Sequence, residues 1–375
     1  MVPFTQRWML LISFLIVTFL LSTSTYATPD EKLVVAVKVS AESAWETRLE
    51  LNESKWIKAV KSPEGRAAVH HIPATDTYLT FHTNHQTFTY LLDAQGRLFD
   101  EQRMERLTLP EEAAAELLQH RDSLRSQHYG QFLEWDQAKQ VIPKKTKFKV
   151  IDMETGLGFH VQRRAGSSHA DVQPLTKEDT AVMKRIYGGV WSWTRRSIII
   201  ETDTQQRIAA SMHGMPHGGD GIPDNDFSGH FCIHFPGSST HGSGKMDPGH
   251  QLMIYKAAGR LDDYMAKASP TGLIDTFFLA LNLHDRQAAR MSFAHGQNQQ
   301  LAFFLQNSTD DDRWVHQIHL RQKEDATADA LALEIPVDVR QSRPHHKEAR
   351  MRLTFQLKRS SPVEPWKIDS VGMVS

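Results

Sequence analysis

The sequence predicts an α+β chain of several folded units, with a mostly-β central unit between two smaller α+β modules. Three observations predict this. The 375 residues exceed what one typical core holds. The 40% hydrophobic and 23% charged content matches globular domains, not a disordered chain. The apolar periodicity switches along the chain between strand-like alternation and helical spacing.

Residues 1–27 read as a secretory signal. Arg7 precedes a mostly apolar run from Trp8 to Leu21, and the small-residue stretch Ser22 to Ala27 follows. Cleavage after Ala27 releases the chain; retention of the run anchors it. The run is short for a full span, which takes roughly 20 residues. Both outcomes place the remainder in the cell envelope or outside the cell.

Residues 28–142 form the first α+β module. Leu33 to Val39 alternates as a strand, and Thr77–His82 and Thr87–Leu92 pair as a hairpin. A helix begins at Pro110, with Glu111 and Glu112 near the positive end of its dipole. Residues 143–265 form the central unit. Phe148–Asp152 and Phe159–Arg163 are strands joined at Met153–Gly156, and Ser197–Glu201 and Arg207–Met212 are two more. Gln251 to Met265 reads as a helix. Residues 266–375 open with one amphipathic helix from Ile274 to Phe293, in which Asp285 and Arg286 face water. Strand-like runs follow at 301–305, 314–320, 330–339, 350–357 and 365–371. Helices followed by an antiparallel sheet resemble the nuclear-transport-factor-like cone fold, which hosts many functions and implies none.

The chemistry concentrates between Met212 and Phe235. The chain has one cysteine, Cys232, so no internal disulfide forms, and a lone thiol in an oxidising compartment needs a task or a sheltered place. His230 and His234 flank it two residues away, on one face of a strand. A nearby imidazole activates a thiol by lowering the cost of the thiolate. The sequence His213-Gly214, then a Gly/Asp-rich loop, then Ser228-Gly229-His230-Phe231-Cys232 resembles the motif of the L,D-transpeptidases of bacterial cell walls. The resemblance spans a short stretch of the central unit. It implies Cys232 as nucleophile, His213 as general base, and His230 and Ser228 as motif partners. The implied substrate is a peptidoglycan stem peptide, and no cofactor is implied. The sequence departs from the motif at Phe231, where the family has glycine, at His234, where it has Arg or Asn, and by one extra residue after Ser228.

A metal reading stands beside the thiol reading. His213, His230, Cys232 and His234 offer zinc-type N and S ligands. With His169 and Asp171 upstream, the pattern resembles the His/Asp and His-x-His ligands of zinc D-alanyl-D-alanine peptidases and murein endopeptidases. A third reading is a non-catalytic envelope scaffold that binds partner proteins through its C-terminal module. Arg163, Arg164, Arg195, Arg196 and His234 are expected to meet the carboxylates of a stem peptide, because guanidinium forks fit carboxylates bidentately. A net charge of -1 provides no field for nucleic acid.

Overall fold

The computed structural model describes residues 31–83, 86–219, 221–295, 298–309, 311–319 and 329–373. The expected signal segment lies outside the described residues. Among those residues no helix is long and apolar enough to cross a membrane. The fold mixes helices with antiparallel sheets and is of the α+β class.

The first sheet is built from β1 (Lys32–Val37), β2 (Thr47–Leu51), β3 (Gly65–Ala68), β4 (Thr77–His82), β5 (Thr87–Leu92), β6 (Leu98–Asp100) and β7 (Glu105–Thr108), with α1 (Ser54–Lys61) between β2 and β3. Its order is β2-β1-β4-β5-β6-β7-β3. Leu33, Val35 and Val37 alternate into its core, as period-two patterning requires. The helix α2 (Glu111–His128) covers the sheet through Leu117 and Leu124.

After α3 (Trp135–Val141) the chain builds a closed barrel. Its strands are β8 (Lys147–Asp152), β9 (Gly158–Ala165), β10 (Ala170–Pro174), β11 (Arg196–Glu201), β12 (Arg207–Met212) and β13 (Phe231–His234), ordered β10-β13-β12-β11-β8-β9. The helix α4 (Lys177–Ile186), capped by Thr176 and Asp179, joins β10 to β11. Ile198, Ile200, Ile208 and Ala210 fill the barrel interior. The intervening Ile199 and Ala209 pack outward against the core of the first sheet. Both faces of β11 and β12 are therefore buried, which explains their unbroken apolar runs.

Beyond the barrel come α5 (Pro248–Ala257), α6 (Leu261–Ala266), α7 (Pro270–Asn282), α8 (Arg286–Ser292) and α9 (Gln299–Gln306). The last sheet orders β14 (Arg313–Ile318), β15 (Ala332–Ser342), β16 (Ala349–Lys358) and β17 (Lys367–Met373) consecutively. Four expectations are corrected here. Ile274 to Phe293 is two helices, because His284 adopts a left-handed φ of 57° and Asp285 caps α8 at the Ala288 amide. Asp285 does not face water: it is buried in an ion pair with Lys256. The run 301–305 is helical, started by the Asn298 side chain, which accepts from the Gln300 and Leu301 amides. The run 251–265 is also two helices, α5 and α6, broken around Gly259 at a φ of 65°.

Candidate functional site

The antiparallel pair β10–β13 organises the site. Asp171 lies opposite Cys232, with Ala170 opposite Ile233 and Val172 opposite Phe231. Ala170, Val172, Phe231 and Ile233 point into the barrel core. Alternation then sends His169, Asp171, His230, Cys232 and His234 to the outer face together.

A second segment closes over that face. His217 and His230 form an antiparallel bridge with reciprocal backbone bonds of 2.9 and 2.8 Å. Glycines permit this approach. Gly229 has φ +93°, and a Cβ there would sit 2.3 Å from the His217 carbonyl oxygen. Gly218 has φ +68°, and its Cβ would meet the His230 ring at 2.4 Å. The loop after β13 brings His241 to the same place.

The imidazole in contact with the sulfur belongs to His217. Its Nε2 lies 3.3 Å from Cys232 Sγ. His213, the expected base, instead packs against Trp193, His217 and His250, at ring separations of 4.6, 5.2 and 5.9 Å. It sits just past the end of β12, and its Nδ1 accepts from the Met215 amide at 3.4 Å. Sequence spacing alone did not separate the two, because each is a His-Gly pair on the same loop.

Tautomers follow from the partners. A carbonyl oxygen can only accept, so each ring nitrogen bonded to one must carry the proton. His169 Nδ1 donates to the Ser239 carbonyl at 2.7 Å, His217 Nδ1 to Met215 at 3.0 Å, and His230 Nδ1 to Gly219 at 3.3 Å. In the neutral rings the Nε2 atoms of His217 and His230 are therefore bare lone pairs, whereas His169 Nε2 lies 3.1 Å from an Asp171 carboxylate oxygen, which can only accept. His217 Nε2 meets the thiol, and His169 Nε2 lies 2.8 Å from His241 Nε2. His230 Nε2 is enclosed without a hydrogen-bond partner. A metal-ligating imidazole usually donates its other ring N–H to a carbonyl or carboxylate, which is how His217 and His230 are held here.

Two overlapping sets of donors lie within 4.8 Å of one another. One is His217, His230, Cys232 and His241; the other is His169, Asp171, Cys232 and His241. Donors on one tetrahedral zinc ion, bound at about 2.0–2.3 Å, are separated by roughly 3.5 Å. The residues present thus fit a borderline-soft ion with modest closing of the cluster. Of the zinc ligands expected from sequence, Cys232 and His230 belong to it. His213 and His234 do not; His217 and His241 stand in their place.

Electrostatics describe a resting, uncharged thiol. Burial, then the field and hydrogen bond of Asp171, push the Cys232 thiol far up. Cys232 is 3% exposed. Burial opposes the charge of Asp171 as well, but His169, His230 and His241 hold its carboxyl down to about 2. His234 is buried between the rings of His169 and His250, and Ser238 bonds its Nδ1. Burial drives His213 down to about 2 and His234 down to about 3, so both are neutral wall rings. The cluster reaches solvent through His241, whose side chain is 52% exposed.

The arginines divide. Arg163 is buried, donates to the Ile142 and Gly166 carbonyls and lies over the Trp135 ring. Arg196 makes a two-point ion pair with the fully buried Asp152. Both belong to the framework, in place of the expected substrate contact, because neighbouring acceptors already take their forks. Arg164 bonds the Gln162 side chain. Arg195 is held by Asp247 at 2.7 Å and by the Trp193 carbonyl, and its Nε is enclosed without an acceptor. With Trp193 and Met215 it lines a cavity of about 500 Å³ between the barrel and the C-terminal unit. That cavity abuts the cluster, because Met215 holds His217 and the Trp193 ring packs against it, tilted, at 5.3 Å. Ser228 is exposed on the loop.

No family model matches the chain, and no curated protein matches it in sequence.

Proposed function

We propose that the chain is an exported cell-wall enzyme that cleaves peptidoglycan stem peptides at a zinc-class ion held by Cys232 and the surrounding imidazoles. One observation carries this reading: His217, His230, Cys232 and His241 place their donor atoms within 4.8 Å of one another. The bare Nε2 of His217 and His230 and the shielded thiol all become favourable once an ion takes their lone pairs. Such an ion supplies Lewis acidity and an activated water. Asp171 stands beside the set as an ionised carboxylate able to accept a proton. Trp193 and Arg195 border the cavity that leads to His217, so Arg195 meets a substrate carboxylate there. The wall assignment rests on the signal-like leader and on the resemblance of the His, Asp and Cys pattern to wall enzymes.

Metal analysis of the purified protein tests this. One zinc per chain, lost in Cys232→Ser and in His217→Ala, together with chelator-sensitive release of fragments from muropeptides, supports it. A chain free of metal after reconstitution overturns it.

The 3.3 Å contact between Cys232 Sγ and His217 Nε2 favours a second reading. In it the thiol proton passes to His217, the sulfur attacks a stem-peptide carbonyl, and the terminal amine leaves with that proton. A covalent carbapenem adduct on Cys232 in metal-free protein selects this reading. Absence of an adduct removes it.

A further inference from the structure

A second cavity lies away from the cluster. It has a volume of about 710 Å³ and opens where the first sheet, α2 and the segment around Gly259–Asp262 meet. This is a size suited to a small organic ligand.

Its wall carries guanidinium groups from two elements. Arg121 and Arg125 are four residues apart on α2 and share a face. Arg106 on β7 stands directly opposite Phe99 on β6, and the Arg97 guanidinium lies over the Phe99 ring. Leu98 and Leu107, paired on the other face of the same strands, belong to the core. The cavity therefore faces the cationic side of this sheet.

The other arginines are positioned by partners. Arg97 is held by Asp93, Arg121 by Asp122 and the Asp93 carbonyl, and Arg125 by Asp76 and the Gly259 carbonyl. Arg106 differs. Among the described residues it makes no ion pair, and its Nε is enclosed without an acceptor. His71 Nδ1, in the same wall, is also enclosed without a partner. Buried polar atoms in folded proteins are nearly always hydrogen-bonded, so these two side chains of the cavity wall each retain unused hydrogen-bonding capacity. Val39, Leu92, Phe99 and Met291 supply an apolar floor.

We propose that this cavity binds a small organic anion, a carboxylate or a phosphate with an apolar body, with Arg106 as its clamp. The site is independent of the metal cluster and of the wall assignment.

Isothermal titration calorimetry of the full chain with N-acetyl-D-alanine and, separately, with inorganic phosphate tests the proposal. Saturable binding of at least one probe is expected, and the preferred probe tells carboxylate from phosphate. Arg106→Gln is expected to weaken that binding about tenfold or more, as loss of a charge-assisted contact does. Arg340→Gln on the C-terminal sheet is expected to leave it unchanged. Hydrogen exchange of the unmutated protein gives a readout that needs no variant: saturation with the probe slows exchange within 95–107. The proposal is overturned if neither probe saturates, if Arg106→Gln binds like the parent chain, or if the protected amides lie elsewhere.

Discussion

Asp171 and Cys232 face each other across the β10–β13 pair, with the thiol 3.9 Å from the carboxylate. A carboxylate so close opposes ionisation of the sulfur, whereas a cation shared by both reverses that repulsion. This pairing separates the two chemistries proposed for the site. Asp171→Asn is expected to weaken zinc binding by roughly 10–100-fold if the carboxylate supports or binds the ion. If the thiol alone is reactive, the same change removes a negative neighbour and speeds alkylation of Cys232 by iodoacetamide. Competitive titration with a zinc chelator and timed alkylation measure the two effects.

His217 and His213 provide a paired test. His217 Nε2 touches the sulfur, whereas His213 packs against neighbouring rings and accepts from the Met215 amide. His217→Ala is expected to abolish stoichiometric metal and thiol reactivity alike. His213→Ala is expected to keep both, and to lower stability by about 1–3 kcal/mol through lost packing. Equal loss of function in the two variants, with both folded, would return the role to His213.

The row His230, Cys232 and His234 on one strand face was legible in the sequence, because strand alternation leaves no other arrangement. The identity of the activating ring was not. It depends on a loop that turns back at Gly218 and Gly229, and no local pattern states where such a loop closes. Asp285 misled for a related reason. A charged residue beside Arg286 on an amphipathic helix reads as solvent-facing. Its burial is set by Lys256, which lies on α5, a different element. The run 301–305 was ambiguous because short apolar segments fit strand and helix alike. The hairpin β4–β5 came through intact, since its partners are neighbours in the chain.

Gly229 is a stringent test of the loop closure. Any side chain there meets a strained backbone at φ +93° and a carbonyl oxygen at 2.3 Å. Gly229→Ala is expected to cost about 2 kcal/mol or more in urea unfolding. Its larger effect is on the site, because the His217–His230 bridge must open. Loss of metal affinity exceeding the loss of stability is the expected signature, and unchanged values for both contradict the arrangement described.

Lys256 joins the units. It is buried on α5 and pairs with Glu154, beside β8, at 2.5 Å and with Asp285, at the start of α8, at 2.6 Å. Ser40 of the first unit donates to the same Glu154 at 2.7 Å. Burial alone disfavours the charge on Lys256, but Asp285 and Glu154 outweigh it and raise its pKa. Glu154 is likewise penalised by burial and rescued by Lys256, so its pKa falls. Removing one partner of a buried pair leaves an uncompensated charge. Lys256→Met is therefore expected to destabilise the chain by about 3–5 kcal/mol. Calorimetry is expected to show units melting apart in the variant, where the parent melts together.

His128 predicts an acid-sensitive junction. Its ring is fully buried beside Trp45 at 4.5 Å and Tyr129 at 5.0 Å, and Thr47 Oγ1 lies 3.0 Å from its Nδ1. Burial first, then the charges of Arg207 and Arg125, lower its pKa from 6.5 to about 3. The folded state therefore binds this proton less readily than the unfolded chain. Stability is fully present above pH 6.5 and is lost as pH falls from there towards 3. The slope from this group is at most ~1.4 kcal/mol per pH unit. His128→Asn keeps a polar group near Thr47 but cannot take up the proton. Denaturant unfolding at a series of pH values is expected to show a shallower acid loss in that variant. Parallel curves for the two proteins would assign the acid sensitivity to other buried rings.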